Sequence, residues 1–383
     1  MKKGLLLSVV ASGILFAGGD IAPVQPVVPA AAPAASDFWG LVALRYDAMK
    51  NQTGVNTWKG DSRSYIAAAL GVEKELGYGF GFGAELDAAI RGNYKFKNKV
   101  ERAGLSQLYI TYKTGNTAVK FGRQVLPKAV SPWLWSDRTA GVAGLFDYTY
   151  NALTIVNNDI QDTTLVFGWV HSLYQNRVNT KIRGNKGALM LGAIYKGIAN
   201  TTLSTSLYYV PSKGAQPKVI SAWGAAETKL SNFDLGLQLA YAKANGSTKS
   251  FGVAGYIGTT YNNIDAKLTL AYLNDGSSSL VGAPGASSGF WGDTYAGVFG
   301  GDTIAGNKQK IARLDVGYKI PNYGKVYAGV AADKPDTGST AVAARVGYDF
   351  TVKGVAAKIE YRYSKNFASQ KNHRVRIQGV YKF

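Results

Sequence analysis

From residue 37 onward the chain is built of runs of about ten residues in which apolar and polar side chains alternate. Clusters of Gly, Asn, Asp, Pro or Ser separate the runs. Alternation with period two marks β-strands with two unlike faces. Strands are predicted at 38–47, 64–75, 79–90, 103–113, 117–123, 147–156, 163–170, 188–196 and 201–210. The second half predicts 218–227, 233–242, 250–258, 263–273, 310–319, 325–332, 340–349, 354–363 and the closing stretch 374–383. That is about eighteen strands, an even number.

The two faces are sorted by charge. In 103–113, Leu108, Ile110 and Tyr112 oppose Gln107, Tyr109 and Thr111. In 310–319, Ala312, Leu314, Val316 and Tyr318 oppose Arg313, Asp315 and Lys319. In 354–363, Val355, Ala357, Ile359 and Tyr361 oppose Lys358, Glu360 and Arg362. In 79–90, Phe80, Phe82, Leu86 and Ala88 oppose Glu85 and Asp87. The connectors alternate too. Short ones (76–79, 113–117, 196–200, 229–232, 350–354) are interleaved with long ones (125–146, 171–187, 274–307). Short turns on one rim and long loops on the other are the layout of a transmembrane antiparallel β-barrel. Its apolar face meets lipid and its charged face a wet lumen. Backbone groups find no water in hydrocarbon, so the sheet must close on itself.

The last ten residues, RVRIQGVYKF, fit that closure. Val375, Ile377, Gly379, Tyr381 and Phe383 share one face, and chain ends of soluble domains are seldom so apolar. The last strand is expected to pair with the first, with Tyr381 and Phe383 in the aromatic girdle of the membrane interface. The aromatic terminal residue resembles the sorting signal read by the barrel assembly machinery.

Composition narrows the picture. The chain has 383 residues, 46% apolar and 17% charged, which argues against disorder. No apolar stretch is long enough for a transmembrane helix. With no Cys there are no disulfides or thiolate metal sites, and the two histidines, His171 and His373, stand far apart in sequence, just beyond predicted strand ends. No catalytic group, metal site or cofactor is expected, and no enzyme activity. The start MKK, the apolar GLLLSVVASGILFAG and the small residues after it form a secretory signal peptide over 1–19. Residues 20–36, rich in Pro, Ala and Val, form a periplasmic linker, and 37–383 the barrel. The formal net charge is +19, of which Lys2 and Lys3 leave with the signal. Export makes nucleic acid a poor partner. Lipopolysaccharide, outer-membrane lipid and small anions suit such a field better.

Two stretches carry a resemblance. VKFGRQVLPKAVSPWLWSD (119–137) resembles the strand-five-to-loop-three region of eighteen-strand bacterial porins. GGDIAPVQPVV (18–28) resembles the mature N-terminus of Campylobacter-type major outer membrane porins. The resemblance implies an eighteen-strand barrel in the bacterial outer membrane, often a homotrimer, passing ions and small hydrophilic solutes by passive diffusion. It also implies that the loop at 125–146 folds into the barrel. No acidic cluster for a calcium site is evident.

A barrel of this size encloses an aqueous channel that something must narrow. The candidates in the loop are Lys128, Trp133, Trp135, Asp137 and Arg138. Lys128, Asp137 and Arg138 are expected at the constriction, and the two tryptophans brace the loop or line an apolar slide. The expected lumen-facing charges are Arg45, Lys120, Arg313, Arg345, Lys358, Arg362, Arg374 and Arg376, with Asp47, Glu85, Asp87, Asp315 and Glu360. Facing basic and acidic arrays set a transverse field across a pore, and the basic excess points to a weak anion preference. Three other readings stay open: a channel selective for small anions or organic acids, a barrel enzyme, and a structural or adhesive barrel with a plugged lumen.

Overall fold

The computed structural model describes residues 37–51, 63–93, 99–127, 129–134, 136, 148–175, 178–245, 249–274, 308–365, 369 and 371–383. The expected signal peptide and linker lie outside them. The described residues form nineteen strands: β1 (Phe38–Asn51), β2 (Arg63–Gly77), β3 (Phe80–Asn93), β4 (Lys99–Thr114), β5 (Thr117–Gln124), β6 (Tyr148–Asn157), β7 (Thr163–Gln175), β8 (Val178–Lys181), β9 (Ala188–Ile198) and β10 (Thr201–Val210). The order continues with β11 (Val219–Leu230), β12 (Phe233–Ala244), β13 (Ser250–Tyr261), β14 (Ile264–Leu273), β15 (Gln309–Ile320), β16 (Gly324–Pro335), β17 (Ala341–Val352), β18 (Val355–Lys365) and β19 (Lys371–Lys382).

Eighteen of these make a closed antiparallel wall, each paired with its neighbours, and β19 returns to pair with β1. They are the eighteen strands that the alternation predicts. The extra strand, β8, pairs only with the far end of β7, whose first half pairs with β9. The segment 171–187, expected as a loop, is therefore partly strand. One extra residue explains the miss. Asn151 pairs with Ser172 and Ala152 with Val170, so His171 is bulged and the period-two phase breaks there. Both histidines, expected past strand ends, lie inside strands, His171 in β7 and His373 in β19. His373 Nδ1 is 2.8 Å from the Tyr361 hydroxyl.

The short connections shape one rim. Tyr78, Asn200, Ser231, Asn262 and Lys353 take left-handed φ of 52°, 57°, 54°, 53° and 47°, the geometry that tight hairpins need to match strand twist. The outer face between the rims is a belt of exposed Leu, Ile and Val, among them Leu44, Leu70, Leu86, Ile110, Leu191, Leu237, Leu270, Val330 and Ile359. Aromatic side chains border it. Tyr78, Phe80, Tyr112, Phe233, Tyr261, Tyr318, Tyr323, Tyr381 and Phe383 are exposed toward the short-turn rim, and Tyr46, Tyr209, Tyr241 and Phe251 toward the other. Such a surface is unstable in water and suits a bilayer with its interfaces.

Closure is made by the chain's last residue. Gly40 N–H donates to the Phe383 carbonyl at 2.8 Å, and Phe383 N–H to the Gly40 carbonyl at 3.0 Å. The Phe383 ring covers Gly40, where an added β-carbon would fall 2.4 Å from Phe383 Cζ. From there the β1–β19 ladder runs without a break from Leu41–Lys382 to Asn51–Asn372.

Candidate functional site

The inner face of the wall has two kinds of surface. On one side it is covered by the chain that follows β5. Leu126, Trp133 and Leu134 are fully buried against Tyr150 of β6, Val166 and Val170 of β7, Met190 of β9 and Tyr208 of β10. The Trp133 ring stacks on Tyr208 with centroids 5.5 Å apart and planes 21° from parallel. Trp133 N–H donates to the Tyr208 hydroxyl at 3.2 Å, and Ser131 Oγ lies 3.3 Å from the same oxygen. Two bonds close the loop on itself: Ser136 N–H to the Leu126 carbonyl at 2.8 Å and Leu126 N–H to Ser136 Oγ at 3.1 Å. The segment thus projects into the barrel and is anchored there. Trp133 has no exposed surface and packs within this cluster. Lys128, Trp135, Asp137 and Arg138 lie outside the described residues.

The other side carries charge. Each arginine here has a small or polar inner neighbour that leaves room for a guanidinium, such as Ala43 beside Arg45 and Ala343 beside Arg345. Asp47 of β1 accepts from Arg45 Nε at 2.6 Å and from Arg376 Nε of β19 at 2.8 Å. Asp315 of β15 accepts from Arg345 Nη2 at 2.7 Å and from Arg313 Nε. Glu360 accepts from Arg362 Nε. The register lines these groups up: Arg345 faces Arg362, which faces Arg374, while Glu360 faces Arg376, which faces Asp47. Three carboxylates are interleaved with six arginines (Arg45, Arg313, Arg345, Arg362, Arg374 and Arg376), so the array is positive. The charge-assisted bonds fix the guanidinium groups of Arg45, Arg313, Arg345, Arg362 and Arg376, which keeps this part of the array ordered. Lys358 lies 3.6 Å from Asp349 at the short-turn end.

Glu85 and Asp87 stand together on β3, both buried. Glu85 accepts from Ser106 Oγ at 2.6 Å and from Gln107 Nε2 at 2.8 Å. Lys120 Nζ sits 3.5 Å above the Tyr109 ring.

One inner-wall device is not visible in any single strand. In three places Glu, Gly and Tyr lie in one row across three adjacent strands. The tyrosine ring lies over the glycine and its hydroxyl donates to the glutamate. The rows are Glu73–Gly83–Tyr109, Glu227–Gly236–Tyr256 and Glu360–Gly347–Tyr327. The hydroxyl donates to Glu227 at 2.9 Å and to Glu360 at 3.0 Å, and Tyr109 donates to Glu73. A β-carbon on any of the three glycines would meet the tyrosine side chain at 2.1–2.3 Å. Glycine elsewhere weakens a strand; here it admits a ring that ties three strands together. Lys267 stands above one of these rings, with Nζ 3.8 Å from the Tyr256 centroid, as Lys120 does above Tyr109. The sequence reading passes over Lys267. The signal was available, since it shares the polar face of 263–273 with Asp265.

Among the described residues no group of His, Cys, Asp and Glu is placed to hold a metal ion.

No family model matches the sequence, and no curated protein matches it. Solved structures do. The chain superposes on Pseudomonas aeruginosa OpdL with a TM-score of 0.69 at 13% identity, over 91% of this chain and 99% of that one. For P. aeruginosa OccK8 (OprE) the values are 0.68, 14%, 91% and 98%, and for P. aeruginosa OpdK with vanillate 0.66, 14%, 91% and 98%. These matches concern the eighteen-strand architecture. The narrower resemblance to Campylobacter-type porins rests on 18–28, which lies outside the described residues, and these matches do not show it. Closed wall, lipid-suited belt and neighbours agree: this chain has the fold of the outer-membrane porins.

Proposed function

We propose that the chain is an outer-membrane porin, a water-filled channel for passive diffusion of ions and small hydrophilic solutes, with a weak preference for anions. The observation that carries this reading is the array of six arginines on the inner wall of a closed barrel, facing an inward-folded loop. Fixed positive charge along the wall of a channel attracts anions without binding them tightly enough to stop conduction. Arg45, Lys120, Arg313, Arg345, Lys358, Arg362, Arg374 and Arg376 serve as the basic path. Asp47, Asp315 and Glu360 hold it in place, and Glu85 and Asp87 form the acidic side. The loop from 125 to 146, with Lys128, Asp137 and Arg138, sets the constriction. Phe383 serves in recognition by the assembly machinery, and lipopolysaccharide and outer-membrane lipid surround a homotrimer. The protein needs no catalytic group or cofactor for this task.

Reversal potentials of the refolded protein in planar bilayers under a KCl gradient test the proposal. A potential of the anion-selective sign is expected, and a clear cation preference overturns the anion path. Zero conductance overturns the channel itself.

A second reading is selectivity for small aromatic carboxylates, supported by the lysines poised over Tyr109 and Tyr256 and by the vanillate named with OpdK. Concentration-dependent block of single-channel current by benzoate, absent with a neutral analogue, distinguishes this reading from a general pore.

A further inference from the structure

Charge is unevenly spread along this chain. From residue 163 to residue 226 it has no Asp or Glu, but it carries Lys181, Arg183, Lys186, Lys196, Lys213 and Lys218. Lys196 lies at the short-turn rim, where its backbone N–H donates to the Asp162 carbonyl at 2.8 Å. The others lie at the opposite rim. Lys181 ends β8, Arg183 and Lys186 stand between β8 and β9, and Lys213 and Lys218 stand between β10 and β11. In an outer-membrane barrel that rim faces the outside of the cell.

Three of these side chains gather on one turn. Arg183 Nη2 donates to the Pro217 carbonyl at 3.1 Å, and Lys186 Nζ to the Ser212 carbonyl at 2.8 Å. The Lys213 ammonium lies against Gly184, where an added β-carbon would fall 2.6 Å from Nζ. Gly184 has a left-handed φ of 70°, and its lack of a side chain leaves room for that ammonium. Both segments are anchored behind this point. Lys213 and Gln216 close their turn with two backbone bonds of 3.0 Å. Ile182 is fully buried in the cluster that holds Trp133 and Tyr208. Trp169 Nε1 donates to the Lys186 carbonyl at 3.1 Å, and Gly187 N–H to the Ile182 carbonyl at 3.0 Å. The three cations are therefore placed before any ligand arrives.

Among the described residues no carboxylate pairs with Arg183, Lys186 or Lys213. The inner-wall arginines differ, since Asp47, Asp315 and Glu360 are interleaved with them. Carbonyl oxygens carry only partial charge, so the like charges on the turn repel one another without a counterion. Arg183 Nε is also covered and has no hydrogen-bond partner among the described residues. An ammonium has three N–H donors and a guanidinium five, so all three groups keep donors for a ligand. A phosphate monoester brings about −1.5 to −2 charges at pH 7 and three acceptor oxygens. A carboxylate brings one charge and matches the cluster less well. We infer that the outer mouth of the barrel carries a phosphate-group site formed by Arg183, Lys186 and Lys213. Its ligand is a phosphate monoester, on a free solute or on lipopolysaccharide outside the cell. The inference goes beyond the channel reading, which needs no such site.

The test uses the full chain refolded in neutral detergent, with folding checked by heat-modifiable migration. Calorimetric titration with glycerol phosphate should saturate, and acetate at equal ionic strength should bind more weakly. Lys186→Gln with Lys213→Gln should weaken glycerol phosphate about tenfold or more, because two hydrogen bonds to a charged group are lost. Both side chains are exposed, and Lys213→Glu alone serves as a second variant should the pair refold poorly. Lys310→Gln with Lys334→Gln removes two facing lysines of the same rim and should leave the affinity unchanged. A second arm adds lipopolysaccharide, intact or stripped of phosphate. Loss of glycerol phosphate binding in the Lys186 and Lys213 variant supports the site and assigns it to free solutes. Loss confined to intact lipopolysaccharide supports the site and assigns it to that lipid. No saturable binding of either ligand overturns the inference. So do equal affinity for acetate, and equal loss in the Lys310 and Lys334 variant. None of these outcomes touches the channel reading, which KCl conductance decides separately.

Discussion

The wall behind the inward loop and the wall that carries the arginines share one alternation and one register logic, yet they are built for opposite solvents. From β6 to β11 the inner positions hold large apolar groups, and Tyr150, Val170, Met190 and Tyr208 pack against Leu126, Trp133 and Leu134 until no water fits. From β15 to β19 and on to β1 the inner positions alternate small residues with paired charges. The first surface is held by close packing, the second by ion pairs between buried arginines and carboxylates. The comparison teaches that an inner face is not a core by default. It becomes one only where another piece of chain arrives to cover it.

The largest expected effect comes from Trp133→Ala. Removing a fully buried aromatic typically costs about 3–5 kcal/mol, and the loop's own two closing bonds are too few to offset that. Single-channel recordings should show a larger and noisier conductance with the barrel intact. An unchanged conductance would mean that the loop does not narrow the pore. Next is Arg362→Gln with Arg374→Gln, which leaves Glu360 with Arg376 as its nearest in-register cation. The reversal potential should move toward cation preference, and the unfolding temperature should fall, because buried Glu360 loses its bond to Arg362. Tyr327→Phe removes a hydrogen bond to a charged group, worth about 1.5–3 kcal/mol. It should lower the urea midpoint of refolded protein and leave selectivity alone. Last, Leu237→Ile on the lipid face should stay within about 0.5 kcal/mol of the parent in the same titration. A larger change there would mean that the outer belt is more specifically packed than the inner walls.

Much of this was legible in the alternation, because a membrane barrel writes its two solvents into every second residue. All eighteen wall strands follow from it. Strand ends did not. Val178–Lys181 has no alternation to read, and the bulge at His171 shifts the phase so that the far end of β7 looks like loop. The braces were hidden for another reason. Gly236 and Tyr256 become partners only through the register of two strands, and register is set by pairing, which no single segment displays.

The contact between Gly40 and Phe383 has a consequence for how the molecule is made. Asp47 and Arg376 are 329 residues apart along the chain, and bringing such distant ends together costs about 5 kcal/mol of chain entropy before any contact repays it. That cost disfavours forming the seam before the hairpins between neighbouring strands. Until it forms, two long strand borders stand open, each able to recruit a foreign strand as readily as its own partner. A helper that holds those borders apart and releases them together would matter more to the yield of this protein than any single contact inside it.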